Sequence, residues 1–399
     1  MLRRPLGIWI ALTGTLVLGA VPAYAASGWT TAQVPPTGQN GYLLGVSADS
    51  NSDAWAVGTV NRAAGSGPGP LIDHWNGTSW QQSAAPAFAS GDTVSLDAVS
   101  ASSSSDAWSV GFTSPSRYSY SPLAIHWNGG AWTTVATAQC TTAGVPISSE
   151  LLGVADVSPT EAFAVGECPG QATGLIQQWN GSTWTLMSLP DPNPANPGMT
   201  QSLSSISADS ATDAWAVGLY TIVYAPTGIR YEPYSLHWNG STWTVVAMPP
   251  VPGTDGQLVY QLDSIDAISP TNVWAVGQSG DDVGVGGTPT ATLIEHWNGT
   301  AWSVVPSPTV GTSPYLNGVT ATSASNIWAV GYDTPTGATQ PQTFTLNWNG
   351  TAWTTVSSPN VGAASRLVSV STKPGAATVW AVGYSGVSGS FNPLAIENP

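Results

Sequence analysis

Gly28-Trp29-Thr30-Thr31-Ala32-Gln33-Val34-Pro35 decides the fold, because it reads as the last piece of a pattern that breaks off at the opposite end of the chain. Its counterpart is Ala352-Trp353-Thr354-Thr355-Val356, which follows a Trp348-Asn349-Gly350 turn. Near the C-terminus, Leu394-Ala395-Ile396-Glu397-Asn398 matches Leu123-Ala124-Ile125-His126-Trp127, but no turn and no closing strand come after it. The N-terminal segment supplies that strand. A linear solenoid needs capping ends, whereas complementary half-units predict a closed ring.

The rest of the chain repeats one unit. A Trp-Ala-Val-Gly-like strand recurs at Trp55, Trp108, Phe163, Trp215, Trp274, Trp328 and Trp380, at intervals of 52 to 59 residues. A Trp-Asn-Gly turn and a second Trp follow at 75/80, 127/132, 179/184, 238/243, 297/302 and 348/353. A period of about fifty with several short strands per unit signals a propeller. Each unit divides into a Leu-x-x-Val-Ser-Ala strand, the Trp-Ala-Val-Gly strand, an apolar strand ending at Trp-Asn-Gly, and a short strand opening at the second Trp. β-Branched and aromatic content supports strands, and no stretch has helical periodicity. The expected fold is all-β: a seven-bladed β-propeller of four-stranded antiparallel blades over residues 26–399, closed by the N-terminal strand.

Two of the connections in each unit are uniform. The first-to-second turn carries an acid or amide two residues before the aromatic (Asp53, Asp106, Glu161, Asp213, Asn272, Asn326), expected to accept bonds from local backbone amides. Asn-Gly between strands three and four predicts a type I′ hairpin, with positive φ at both central residues. The other two connections vary in length and composition, and in a meander they share one face of the ring. Loops on a rigid scaffold carry specificity. That face holds the candidate ligand-binding residues Arg62, Arg117, Tyr118, Tyr120, Arg230, Tyr231, Glu232, Asp281, Asp282, Asp333 and Arg366.

Residues 1–25 read as a cleaved signal peptide: Arg3 and Arg4, an apolar run from Leu6 to Ala20, and a small-x-small site at Ala23-Tyr24-Ala25. The expected location is extracellular, with cleavage near Ala25 and no membrane insertion. Beyond Arg3 and Arg4, the basic residues are Arg62, Arg117, Arg230, Arg366 and Lys373, against 22 acids. That balance excludes nucleic acid as a partner, since phosphate backbones require clustered Lys and Arg. A hydrophobic share of 42% excludes disorder. Cys140 and Cys168 both reach the variable rim of the third unit, and in an exported chain they predict a disulfide.

The order of apolar strand ending in Gly, variable loop, apolar strand, turn and Trp resembles kelch-type repeats of galactose-oxidase-like propellers. Within that group it is most similar to exported bacterial proteins built from Trp-Ala-Val-Gly and Trp-Asn-Gly repeats. It departs from the kelch pattern in having one Gly (Gly58, Gly111, Gly218) where kelch repeats have two.

Several residue types invite a functional story that their positions answer more simply. Of the 20 Trp, 19 occupy repeat positions, which assigns them to packing between blades. His74, His126, His237 and His296 all precede the Trp of the turn, leaving no histidine for copper chemistry or another metal site. The Asn-Gly-Ser/Thr acceptor pattern follows from the turn, and Asp281-Asp282 reads as a solvated loop in preference to a Ca²⁺ site. No nucleophile elbow, phosphate loop or zinc motif appears.

The expected function is a non-catalytic, cofactor-free, monomeric binding module for an extracellular carbohydrate or protein. An alternative is a propeller hydrolase or lyase acting on an acidic glycan, with Arg117, Arg230 and Arg366 clamping a carboxylate and Arg230-Tyr231-Glu232 near the chemistry. A purely structural surface module is a third possibility.

Overall fold

The computed structural model describes residues 28–62, 67–116, 119–169, 174–194, 200–224, 228–250, 258–281, 291–308, 310–373, 375–387 and 389–399. Residues 1–25, expected from the sequence to be a signal peptide, lie outside them. Seven four-stranded antiparallel units follow one another, each in the strand order one-two-three-four. In blade 1 these strands are Gly41–Ser50, Asp53–Val60, Gly69–Trp75 and Trp80–Gln82. Blades 3 and 4 are also joined through a single bridge, Glu167 to Ser202.

The last blade is composite. Its strands Ser365–Ser371, Val379–Val387 and Ser390–Asn398 are completed by Thr30–Ala32, which pairs Thr30 with Glu397, Thr31 with Ile396 and Ala32 with Ala395. The first strand of each blade contacts that of the next, and the blade 7 strand contacts that of blade 1. The ring is closed as the sequence predicts.

Indoles connect the blades. Trp55 of blade 1 meets Trp127 and Trp132 of blade 2 at 4.8 and 5.0 Å between ring centroids. The same three-ring contact recurs from Trp108 to Trp179 and Trp184, and from Trp215 to Trp297 and Trp302. Trp274 meets Trp348 and Trp353, and Trp380 of blade 7 meets Trp75 and Trp80 of blade 1. Phe163 keeps the pattern with Trp238 and Trp243, while Trp328 reaches only Trp29, because Asn398 replaces the third ring. Aromatic pairs in such offset and edge-on geometries add about 0.5–1.5 kcal/mol each beyond their buried area.

Every first strand carries a β-bulge at the same place in its repeat, shifting the register between Leu43 and Gly45, Leu96 and Ala98, Leu151 and Gly153, Leu203 and Ser205, Leu262 and Ser264, Leu316 and Gly318, and Leu367 and Ser369. Each bulge presses a carbonyl onto the facing strand, at the Gly of Trp-Ala-Val-Gly. A Cβ at Gly58 would overlap the Tyr42 carbonyl, and Gly111, Gly166, Gly218, Gly277, Gly331 and Gly383 meet the carbonyls of Ser95, Glu150, Ser202, Gln261, Tyr315 and Arg366. One Gly per repeat is thus required by close backbone approach.

The first strands are the inner edge of each blade, and an edge exposes unpaired amides. Hydroxyls of the preceding blade fill this need. Ser369 and Ser371 accept bonds from the amides of Val46 and Ala48 at 3.2 and 3.1 Å, and Ser47 accepts from Ala101 at 3.0 Å. Ser100, Ser205, Ser207, Ser264 and Thr320 bond the next blade in the same way. This explains the Ser of Val-Ser-Ala.

Both uniform turns depart from their expected chemistry. The residue before the aromatic motif bonds a side chain of strand three: Asp53 to His74 at 2.5 Å, Asp106 to His126 at 2.6 Å, Asp213 to His237 at 3.2 Å and Asn272 to His296 at 2.8 Å. Glu161 with Gln178 and Asn326 with Asn347 keep the pair without a histidine. Each His also stacks on the inner Trp, as His74 does on Trp55 at 4.1 Å. The Asn-Gly turn is not type I′, because only its Gly has positive φ (Gly77 at 90°). It is a four-residue loop between paired Trp75 and Trp80, in which Asn76 Oδ1 accepts the amides of Thr78 and Ser79 and the Thr78 hydroxyl.

Cys140 and Cys168 form a disulfide with their Cα atoms 6.2 Å apart. It ties the connection entering blade 3 to the end of that blade's second strand, Glu161–Glu167.

Candidate ligand site at the channel mouth

The bulges also build the site. All seven first strands line one central cavity of about 390 Å³, contributing Leu44, Asp97, Leu152, Ser204, Asp263, Asn317 and Val368 at the bulged position. Two residues earlier stand Tyr42, Ser95, Glu150, Ser202, Gln261, Tyr315 and Arg366. They share a side with the bulged residues: Ser95 donates to Asp97 and Gln261 to Asp263, each at 2.6 Å. Opposite them on strand two are Thr59, Phe112, Glu167, Leu219, Gln278, Tyr332 and Tyr384. These paired positions ring the channel where it opens on the variable face.

The ring is chemically divided. Across blades 6, 7 and 1 runs an aromatic arc. Tyr315 stacks on Tyr332 at 4.5 Å, Tyr384 meets Tyr42 edge-on at 5.0 Å, and Phe391 packs against Tyr42 at 5.1 Å. Arg366 lies inside this arc, its Cζ 5.1 Å from the Tyr332 ring centre and 5.7 Å from that of Tyr384. Arg366 and all these rings are half-buried. Among the described residues no carboxylate forms an ion pair with Arg366, since the pairs present there all involve histidine.

Blades 2, 3 and 5 carry acids. Glu150 stands directly opposite Glu167 on the neighbouring strand; burial, then the charges of Glu167 and Asp97, push Glu150 up to about 7. Burial also raises Asp97 to about 6 and Asp263 to about 7, each opposed by its hydrogen bond from Ser95 or Gln261. Both residues are partly exposed, although Oδ2 of Asp263 is buried without a hydrogen-bond partner. Burial raises Tyr315 and Tyr332 above the ordinary phenol range.

The loop residues expected to bind ligand do not gather in one place among the described residues. Arg366 lines the channel, and Asp333, buried beside Tyr332, accepts the Ser313 amide at 3.4 Å. Tyr120 packs on Phe112 at 5.0 Å, next to the mouth at blade 2. Arg62 lies against Gly69 in its own loop, so closely that any side chain there would strike the guanidinium. Glu232 lines a separate cleft of about 410 Å³ on blade 4, with Tyr220, Met248, Pro249 and Pro250. Tyr231 is nearby on the long hairpin, opposite Thr221. Arg117, Tyr118 and Asp282 lie outside the described residues, as do the side chains of Arg230 and Asp281, whose backbones pair with Ile222 and Leu258. No group of three His, Cys, Asp or Glu suited to a metal appears among the described residues.

No family model and no curated relative matches the sequence. Solved structures do resemble the fold. YCF48 from Cyanidioschyzon merolae superposes with a TM-score of 0.52 at 14% identity, covering 93% of this chain and 98% of its own. An ulvan lyase of polysaccharide lyase family PL25, bound to -[GlcA(1-4)Rha3S]-, gives 0.55 at 12% identity over 93% and 94% of the two chains. The polysaccharide lyase Uly1 gives 0.51 at 11% identity over 89% of each. These similarities establish a β-propeller architecture.

Proposed function

We propose that the protein is an exported, non-catalytic binding propeller that recognises an extracellular carbohydrate through the channel mouth on its variable face. The observation that carries this reading is the aromatic arc of Tyr315, Tyr332, Tyr384, Tyr42 and Phe391 around Arg366. Half-exposed rings beside a small polar cavity offer stacking faces and hydrogen-bonding groups together. The volume falls in the lower range of small-molecule sites. The test is binding of the purified protein to immobilised oligosaccharides, compared with Tyr384→Ala. Retention that falls at least ten-fold in the variant supports the proposal. Retention of proteins alone, or retention indifferent to Tyr384, contradicts it.

A second reading, an enzyme acting on an acidic glycan, is favoured by the Glu150–Glu167 pair. Burial, then the charges of Glu167 and Asp97, raises Glu150 to about 7, so that Glu150 holds its proton near neutrality as a general acid requires. The propeller solved with a glucuronate-containing glycan bound lends it support by likeness of fold. Depolymerisation of an acidic polysaccharide that vanishes in Glu150→Gln would establish this reading over the first.

A further inference from the structure

Resting on the binding role just proposed, we infer that the ligand is a sugar carrying a single carboxylate, presented as a chain end or branch, with the carboxylate on Arg366 and the hydroxyls toward the acids of blades 2, 3 and 5. Arg366 is the one arginine among the described residues that lines the channel, in a chain with 22 Asp and Glu. None of those acids among the described residues is within ion-pair distance of it. Its flanking rings, Tyr332 and Tyr384, hold the guanidinium by cation–π contact and leave its planar donors for an incoming anion.

The other side of the mouth fixes the rest of the ligand. Asp97, Asp263, Glu150 and Glu167 are acceptors for sugar hydroxyls, while a second negative group placed there would meet like charge. Gln261 and Ser95 orient two of these acids by hydrogen bonds at 2.6 Å. The site therefore suits a monoanionic, polyhydroxylated ring and disfavours heavily sulfated chains. A well surrounded by seven blades admits a terminus more readily than the middle of a stiff polymer.

Saturation-transfer NMR with methyl β-D-glucuronide and methyl β-D-galacturonide, each beside its neutral glycoside and beside sodium acetate, tests the inference. At least one uronide is expected to bind ten-fold or more tightly than its neutral partner and than acetate. Arg366→Gln should abolish that preference, and Arg366→Lys should restore it only in part, because an ammonium lacks the planar fork. Equal binding of uronide and acetate would reduce the site to a simple anion site and overturn the proposal. So would a uronide preference that survives Arg366→Gln in a protein with wild-type thermal unfolding. Absence of uronide binding together with Tyr384-dependent retention of neutral oligosaccharides would refute the carboxylate while leaving the carbohydrate role standing.

Discussion

Gly383 lies beneath the main-chain carbonyl of Arg366, with no room for a Cβ between them. This close approach couples the fold to the site, because the bulge that brings the carbonyl down also sends the Arg366 side chain toward the channel. Gly383→Ala is expected to lower stability by about 2–4 kcal/mol, within the range of backbone and overpacking lesions. Chemical denaturation measures this. The remaining folded protein should also show weakened ligand binding, since Arg366 has to move.

Ring closure predicts the outcome of cutting and rejoining the chain. Trp29 is buried and edge-on to Trp328 at 5.2 Å, so Trp29→Ala should cost about 3–5 kcal/mol. A circular permutant beginning at Asn40, with residues 28–39 placed after Pro399 through a short Gly-Ser linker, should keep a thermal midpoint within a few degrees of the parent. A large loss would show that Thr30–Ala32 needs its present covalent attachment and does not simply complete blade 7.

Two carboxyls inside the blades set a pH dependence. Asp73 and Glu295 are fully buried without hydrogen-bond partners, and burial raises them to about 7 and about 8. Gln177 occupies the same place in blade 3 and bonds both the amide and the carbonyl of Ala138. The residue equivalent to Ala138 is Pro35 beside blade 1 and Pro249 beside blade 5, and proline has no amide hydrogen to offer. A folded-state pKa above the unfolded one gives stability that is complete below about pH 4 and is lost as pH rises through 7 to 8. These two groups should therefore make the protein more stable at pH 5 than at pH 9. Glu295→Leu, matching Leu236 and Leu346 in other blades, should flatten the profile and add on the order of 2–4 kcal/mol at pH 9. Urea melts across this pH range check the sign.

The Asn-Gly loops predict an order of chemical ageing. Deamidation needs the Gly nitrogen to attack the Asn side-chain carbonyl, expelling ammonia, and that carbonyl must rotate to meet it. In five loops the oxygen is held by two amides and at least one hydroxyl, at Asn76, Asn180, Asn239, Asn298 and Asn349. At Asn128 the third residue is Gly130, and only the amides of Gly130 and Ala131 remain. Peptide mapping after mild alkaline incubation should find Asp and isoaspartate at 128 before the other five. Uniform rates would show that the hydroxyl contributes nothing.

The architecture was legible because it is written in repeated residues. The match between the segments around Trp29 and Trp353 pointed to ring closure, and two cysteines on one rim of the third unit pointed to the Cys140–Cys168 bridge. The site was less legible, since most of the arginines stand out in long loops whereas strands line the channel. Of those loop residues only Arg366 lines the central channel among the described side chains, and it belongs to a strand. The bulge that turns Tyr42, Glu150, Tyr315 and Arg366 toward the axis leaves no sequence mark beyond the glycine facing it. A usable signal was present even so: the residue before each Leu-x-x-Val-Ser-Ala strand and the one after each Trp-Ala-Val-Gly vary around the ring, although the Leu and the Gly beside them do not. The histidine partners of Asp53 and Asp106 were missed for a related reason, as cross-strand pairing is invisible until the register of strand three is known.

Hydrogen–deuterium exchange with and without a saturating glycan ligand addresses the central assignment most directly. Slowed exchange confined to peptides that carry Tyr42, Tyr315, Tyr332, Arg366 and Tyr384 is the expected result. Slowed exchange around Met248–Pro250 in the blade 4 cleft, or at the Asn-Gly loops of the uniform face, with the mouth unchanged, would contradict it.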